Sequence, residues 1–276
     1  MFGYATDTQI THGQRIWLYV FCAVVMLFLI VPCAIVVPMS FSDASYLEFP
    51  PRVWGLRWYH AYFSSDEWRA ATGVSLRVAL SSTLAAVIAG TAAAYALRAI
   101  ESRWTRVLRT ILMLPMMVPL ILVAIGTFFI YVRADLNNTI LGLVIAHTML
   151  ALPFVVISVN GGLETYDENQ ELVARSLGAS RLTAFYTVTL PQIRLSIFSA
   201  AFFAFMTSFD EVVVALFVSG GDNATLTRLM FEDIRDQLDP TITAISTLLI
   251  SVSVISLLVL QWISGSRRKR MVGKVV

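Results

Sequence analysis

Apolar residues in this chain come in long unbroken runs rather than short alternating patches. Five intervals hold no Asp, Glu, Lys or Arg: 16–42, 78–97, 110–132, 136–163 and 240–266. About 20 apolar residues in a helix cross the ~30 Å hydrocarbon core of a bilayer. A sixth run, 195–219, would match them but for Asp210 and Glu211 in its interior. The pattern predicts spans at about 16–40, 72–98, 107–132, 138–160, 195–219 and 240–264, forming one transmembrane domain over 1–276. The first run is too long for the apolar part of a cleaved signal, and Pro32-Cys33-Ala34-Ile35 is unlike a cleavage site, so it is expected to remain as a helix.

Composition removes the soluble alternative. Apolar residues make up 57% of the 276 and charged ones 14%, against about 45–50% and about 25% in ordinary globular domains. So little charge cannot cover a soluble surface of this size, and a mean hydropathy of +0.74 agrees. Cys22 and Cys33 fall in the first run, about three helical turns apart, too far for a disulfide within one helix. They read as small apolar residues. The net charge of +2 gives no reason to expect nucleic acid.

The distribution of charge predicts orientation. If the N-terminus, 98–109, 160–194 and 265–276 share a side, that side holds thirteen of the twenty basic residues, including Arg98, Arg103, Arg106, Arg109, Arg175 and Arg181. Acids gather on the other side, from Asp43 and Glu48 to Asp236 and Asp239. Both termini are therefore expected to be cytoplasmic. The run Arg267-Arg268-Lys269-Arg270 reads as a topology anchor beside the membrane rather than a nucleic-acid patch. On the outer side, residues 43–69 carry Trp54, Trp58, Tyr59, Tyr62, Phe63 and Trp68, as an interfacial segment would. Residues 226–238 place Leu226, Leu229, Met230, Ile234 and Leu238 on one face of a short amphipathic helix, which either plugs the bundle or receives a partner.

The loop 164–194 is too long for a passive connection. Thr165 with Glu168, and Asp167 with Gln170, fit capping boxes ahead of a short helix through Leu177. Gly178 stands where a C-cap needs positive φ, Ser180 can cap a second helix, and Pro191 is expected to stop it after Leu190. A helix lying on headgroups carries Lys and Arg on its polar face. Here Glu164, Asp167, Glu168 and Glu171 crowd ahead of Arg175, and an anionic leaflet would repel them. The helix pair, with its apolar ridge of Leu172, Val173 and Leu177, is built to dock on a protein.

The stretch Glu171-Leu-Val-Ala-Arg-Ser-Leu-Gly178-Ala179-Ser180, followed by Val188-Thr-Leu190-Pro191, resembles the EAA loop of ABC-importer permease subunits. Leu172 stands six residues before the glycine, where that pattern has its glutamate, and Glu171 lies one place earlier. Leu114-Pro115 through Pro119 to Gly126, Ala146-His147 through Pro153-Phe154, and Ser208-Phe209-Asp210-Glu211 resemble the spermidine/putrescine-type branch. The resemblance covers roughly residues 70–264. It implies an all-α integral membrane fold with six transmembrane helices, the type I ABC importer permease fold with cytoplasmic coupling helices, in a bacterial inner membrane. It implies ATPase coupling through Glu171, Leu172, Ala174, Arg175, Gly178, Ala179, Leu190 and Pro191, and leaves open which side chain meets the ATPase. The implied partners are a second homologous permease subunit, a dimer of cytoplasmic ATPase subunits, a periplasmic solute-binding protein and membrane lipid. No G-x-x-x-x-G-K-[ST] occurs, so ATP and Mg are expected on the partner ATPase, with no catalysis, metal or cofactor in this chain.

A carboxylate at bilayer depth costs about 2.5–3.5 kcal/mol on insertion scales, so it normally faces a cavity or a partner. Ser208, Phe209, Asp210 and Glu211 are therefore candidates for the solute path, one carboxylate attracting a cation; the structural alternative is an ion pair or a backbone cap where the helix unwinds. His147 is expected to bond between helices. Pro115, Pro119 and Pro153 can kink spans three and four, and Ala85, Ala89, Ala92, Ala93 and Ala96 with Gly90 allow close packing of span two. The function that emerges is import of a small organic solute, a polyamine first, with amino acids, opines and other organic cations as alternatives. A secondary carrier using Asp210, Glu211 and His147 as an ion relay is the rival from another class, and a membrane scaffold the third.

Overall fold

The computed structural model describes residues 15–100 and 102–272, and among them the chain is helical apart from one isolated antiparallel bridge, Ser42 to Trp54. Two compact units partition it, one of residues 1–65 with 233–276 and one of 66–232.

In the first unit, α1 (Ile16–Met39) packs on α13 (Thr241–Val272), and α13 also meets α2 (Arg57–Ser64). No residue of α1 is buried: residues 16–34 are exposed and 35–39 half-buried. Between α1 and α2, Asp43 N–H donates to Val53 O (3.0 Å) and Gly55 N–H to Phe41 O (2.7 Å). The Glu48 carboxylate ties this loop by accepting from Ser42 Oγ (2.8 Å) and Arg52 N–H (3.1 Å). The aromatic segment expected at 43–69 is only partly a surface feature. Trp54 and Phe63 are exposed, whereas Tyr62 and Trp68 are buried.

The second unit is built on α3 (Asp66–Ala99), α6 (Ile140–Glu164) and α10 (Arg194–Phe209), each packed against the other two. Asp66 and Glu67 in the first turn of α3 and Arg98 in its last complement the helix dipole. Thr139 caps α6 by accepting from Gly142 N–H at 3.0 Å. The buried stripe of α3 is Ser82, Ala86, Gly90, Ala94 and Leu97. Of the small residues expected to pack closely, Gly90 lies in this stripe and Ala93 packs half-buried against the core, whereas Ala85 is half-buried and Ala89, Ala92 and Ala96 are exposed. Sequence alone cannot fix the rotation of a helix that is small and apolar all round.

Three spans differ in form from the expectation. The run 107–132 is two helices, α4 (Arg103–Met117) and α5 (Leu120–Arg133), bent by 103°. Pro119 forces Val118 into extended backbone (φ −82°, ψ 136°), which no helix can run through. Pro191 does not stop the second loop helix. The chain stays helical from α8 (Arg181–Ala184) through a π-turn (Phe185–Thr189) to α9 (Leu190–Gln192). Leu190 N–H reaches back five residues to Phe185 O, so the turn before the proline widens to accept it. A 77° bend then leads into α10. The run 195–219 is broken after Phe209 and resumes as α11 (Val213–Val218). By length and composition α1, α3 and α6 can each cross a membrane, each bent pair matches one further crossing, and α13 is apolar over Thr241–Ile255. The side chains of Arg267 to Arg270, and Lys274, lie outside the described residues.

Helix α12 is Leu226–Asp236, shorter than the expected 226–238. Its Leu226 and Leu229 are buried, while Ile234 and Leu238 are exposed. Arg228 Nη1 donates to Ala215 O (3.2 Å) and Thr227 Oγ1 to Glu211 O (2.8 Å).

Candidate functional site

The loop 164–194 forms the first candidate site. Helix α7 (Asn169–Ser176) ends as its sequence requires. Gly178 has φ +97°, Gly178 N–H donates to Arg175 O (3.0 Å) and Ala179 N–H to Ala174 O (3.1 Å), the pair of bonds of a Schellman cap. Ser180 accepts from Thr183 N–H at 3.1 Å and starts α8. Neither capping box forms at the start. Asp167 Oδ1 accepts from Asn169 N–H (3.1 Å), one residue short of the expected reach, and Glu168 is drawn off to Arg98.

The polar and apolar residues of this loop face opposite ways. Leu172, Val173, Leu177, Leu182 and Tyr186 are exposed, Leu177 at 84%. Arg175 is exposed beside them and makes no ion pair or hydrogen bond among the described residues. Pro191 is exposed; Ala174, Ala179 and Leu190 are half-buried. Glu171 turns the other way. Its Oε1 accepts from Tyr95 Oη (2.6 Å) and its Oε2 from Thr189 Oγ1 (2.6 Å), in the floor of a cavity of about 240 Å³ beside the end of α3. Tyr95, Tyr166 and Thr189 are functional candidates that sequence reasoning missed. Thr189 stood inside the quoted motif without a role, and a tyrosine near a span end reads first as an interface anchor.

The second candidate site is the break in the 195–219 run. Glu211 is 6% exposed, and its carboxylate accepts from Val214 N–H (2.7 Å) and Ala215 N–H (3.0 Å), capping α11. Its Oε2 lies 3.7 Å from His147 Nε2. His147, on α6, meets Ser208 Oγ through Nδ1 (2.8 Å), and Ser208 accepts from Ser82 Oγ on α3 (2.9 Å). A buried polar chain thus joins α3, α6, α10 and the cap of α11. Of the structural alternatives for Glu211 the backbone cap is the one formed, while His147 Nε2 lies beside the carboxylate without a hydrogen bond to it. Phe209 is half-buried and stacks on Phe205 with centroids 5.5 Å apart. Asp210 is exposed. The four path candidates therefore divide. Ser208 and Glu211 hold helices together, and Asp210 is the exposed carboxylate. Among the described residues no cluster of His, Cys, Asp and Glu could hold a metal ion.

These features meet those of known proteins. Residues 82–271 match the model of the family described as binding-protein-dependent transport system inner membrane component. The chain belongs to that family. It is an ABC importer permease component of the inner membrane. This permease is 28% identical over 263 residues to the putrescine transport system permease protein PotI of Escherichia coli, covering 92% of this chain and 93% of that one. It is 28% identical over 235 residues to the spermidine/putrescine transport system permease protein PotC of Haemophilus influenzae, covering 85% and 91%. A more distant relative, the molybdenum transport system permease protein ModB of Mycobacterium bovis, is 28% identical over 222 residues, covering 76% and 82%. In fold the permease matches a chain of a bacterial ABC transporter involved in the import of the acidic polysaccharide alginate. The TM-score is 0.73 over 92% of this chain and 99% of that one, at 14% identity.

Proposed function

We propose that this permease subunit imports a small organic cation, a polyamine of the putrescine or spermidine kind, and is driven through the loop 164–194 by a separate ATPase. The observation that carries the coupling half is the inside-out sorting of that loop. Glu168 and Glu171 are bonded to Arg98, Tyr95 and Thr189, while Leu172, Val173 and Leu177 are exposed beside Arg175, which makes no ion pair among the described residues. A ridge of that kind fits an apolar cleft with an acid at its rim. Leu172, Ala174, Arg175, Gly178 and Ala179 then form the docking turn, with Leu190 and Pro191 holding the return helix. ATP and Mg belong to the ATPase dimer, and this chain carries no catalysis. Function further requires a second homologous permease, since one chain offers one docking loop to a twin ATPase, and a periplasmic binding protein to deliver the solute. The six apolar runs fit six crossings with both termini in the cytoplasm.

The cation is supported by the polyamine permeases among the relatives and by Asp210, the exposed carboxylate at the broken span. Family membership alone does not select it, because a molybdenum permease belongs among the relatives too. The test is uptake of labelled putrescine, spermidine and an amino-acid mixture by cells expressing the chain with its chromosomal neighbours. Putrescine or spermidine should accumulate, and Asp210→Asn should raise the half-saturating concentration with normal protein in the membrane. Uptake of the amino acids alone, or identical saturation with Asp210→Asn, would remove the polyamine reading and the role of Asp210 respectively.

A further inference from the structure

We infer that Glu171 is a positioning residue that latches the coupling helix to the membrane bundle, and that it is not the contact this helix makes with the ATPase. The inference rests on the coupling role proposed for the loop. Motion can pass from a docked helix into a bundle only if the two are joined by something stiffer than the loop between them, and α7 has little apolar means of joining. It contains no buried residue, and its Leu172 and Val173 are both more than half exposed.

Glu171 supplies the join. Tyr95 Oη on α3 donates to Oε1, and Thr189 Oγ1 in the π-turn donates to Oε2, both at 2.6 Å. Hydrogen bonds to an ionised acceptor are about twice as strong as neutral ones. Thr189 has one proton, so with that proton on Glu171 its 3.2 Å contact to Tyr166 Oη is supplied by the tyrosine's own. Arg181 completes the ring, its Nε–H donating to Tyr95 Oη at 3.4 Å and its guanidinium lying over the Tyr95 ring at 5.3 Å. Every donor runs toward one carboxylate. Both of its oxygens are occupied from α3 and from the return helix, leaving it turned away from the exposed ridge. The register shift from the EAA pattern acquires a physical meaning: moving the glutamate from 172 to 171 rotates it about 100° around the helix, from the outward face of Leu172 to the bundle.

The test uses the whole transporter, co-expressed and purified with its ATPase, second permease and binding protein, and reconstituted in liposomes. ATPase retained on the membrane subunits reads docking, ATP hydrolysis reads the engine, and solute imported per ATP reads the latch. Glu171→Ala, and separately Tyr95→Phe with Thr189→Val, should keep the ATPase bound and hydrolysis within about twofold while solute per ATP falls about tenfold, the scale of one lost charge-assisted bond. Glu171→Asp should recover part of that loss. A Glu171→Ala complex that sheds its ATPase, while the Tyr95→Phe/Thr189→Val complex behaves as the parent, would make Glu171 a docking contact and overturn the inference. Unchanged solute per ATP in both would overturn it too. If Glu171→Ala does not assemble at all, the Tyr95→Phe/Thr189→Val pair decides alone. The coupling reading stands apart: Gly178→Asp with Ala179→Asp should strip the ATPase, and if it does not, the loop is not the docking site whatever the latch variants do.

Discussion

The packing of α3 on α6 turns on one hydrogen atom. A methyl group built at Gly90 would sit 2.6 Å from Val155 Cγ1, 2.9 Å from Val155 Cβ and 3.6 Å from Leu152 Cδ2. The first two distances are far inside van der Waals contact. Val155 is fully buried, and a β-branched side chain in a helix has essentially one rotamer, so it cannot swing aside. The helices must separate instead. Overpacking of this kind costs about 1–3 kcal/mol. Against it stands the helix propensity gained on replacing Gly by Ala, about 0.8–1.0 kcal/mol. Gly161 on α6 isolates that gain, because a methyl there would meet nothing within 4 Å. Gly90→Ala should therefore be less stable than Gly161→Ala by about 1–3 kcal/mol, measured by SDS-induced unfolding in mixed micelles. Val155→Ala should partly rescue Gly90→Ala, with a coupling of about 0.5–3 kcal/mol in the double-mutant cycle. Equal stability of Gly90→Ala and Gly161→Ala would refute the close approach of the two helices.

Three more expectations follow from single contacts. Gly178→Ala puts a Cβ at φ +97° and should cost about 1–2 kcal/mol locally, lowering uptake at normal membrane levels of the protein. Glu211→Ala leaves Val214 and Ala215 N–H without their buried acceptor and should destabilise by about 1–3 kcal/mol in the same unfolding assay, with Glu211→Gln losing less. Arg52 N–H and Ser42 Oγ hold the Glu48 carboxyl below its ordinary 4.5, so the folded form binds its proton less readily than the unfolded chain. That contribution is present above 4.5 and is lost as the pH falls below it. The protection of the Arg52 amide, its exchange rate corrected for the intrinsic pH dependence of amide exchange, should fall on acidification, and Glu48→Gln should remove that fall.

The long apolar helices α1, α3 and α6 were legible because transfer of apolar groups into lipid acts on each segment by itself, and the sequence carries that information residue by residue. The Gly178 cap was legible for the same reason: the turn needs positive φ, and glycine meets that need locally. What stayed hidden depended on partners far away in the chain. Pro119 announces a break in the helix, but not that the two halves meet at 103°. The rotation of α3 is set by Val155, and no periodicity distinguishes Ala86 from Ala85 in a run so uniformly small. Glu211 could be listed beside Asp210 as a buried charge in lipid. Which of the two is a cap depends on the chain unwinding after Phe209. Tyr95 and Thr189 were invisible as a pair because 94 residues of chain and a π-turn separate them.

An ATP-driven permease coupled through the loop 164–194 differs from an ion-coupled carrier in what powers its uptake. Inside-out vesicles do not test import, so the reconstituted transporter would be loaded with ATP in the lumen facing the ATPase, given an imposed inward proton gradient with binding protein and labelled putrescine outside, and assayed with and without a protonophore. The account predicts uptake that needs luminal ATP, survives the protonophore, and disappears with the Gly178→Asp/Ala179→Asp loop. Uptake that persists without ATP and with the damaged loop, yet collapses when the protonophore is added, would contradict it and identify an ion-coupled carrier instead.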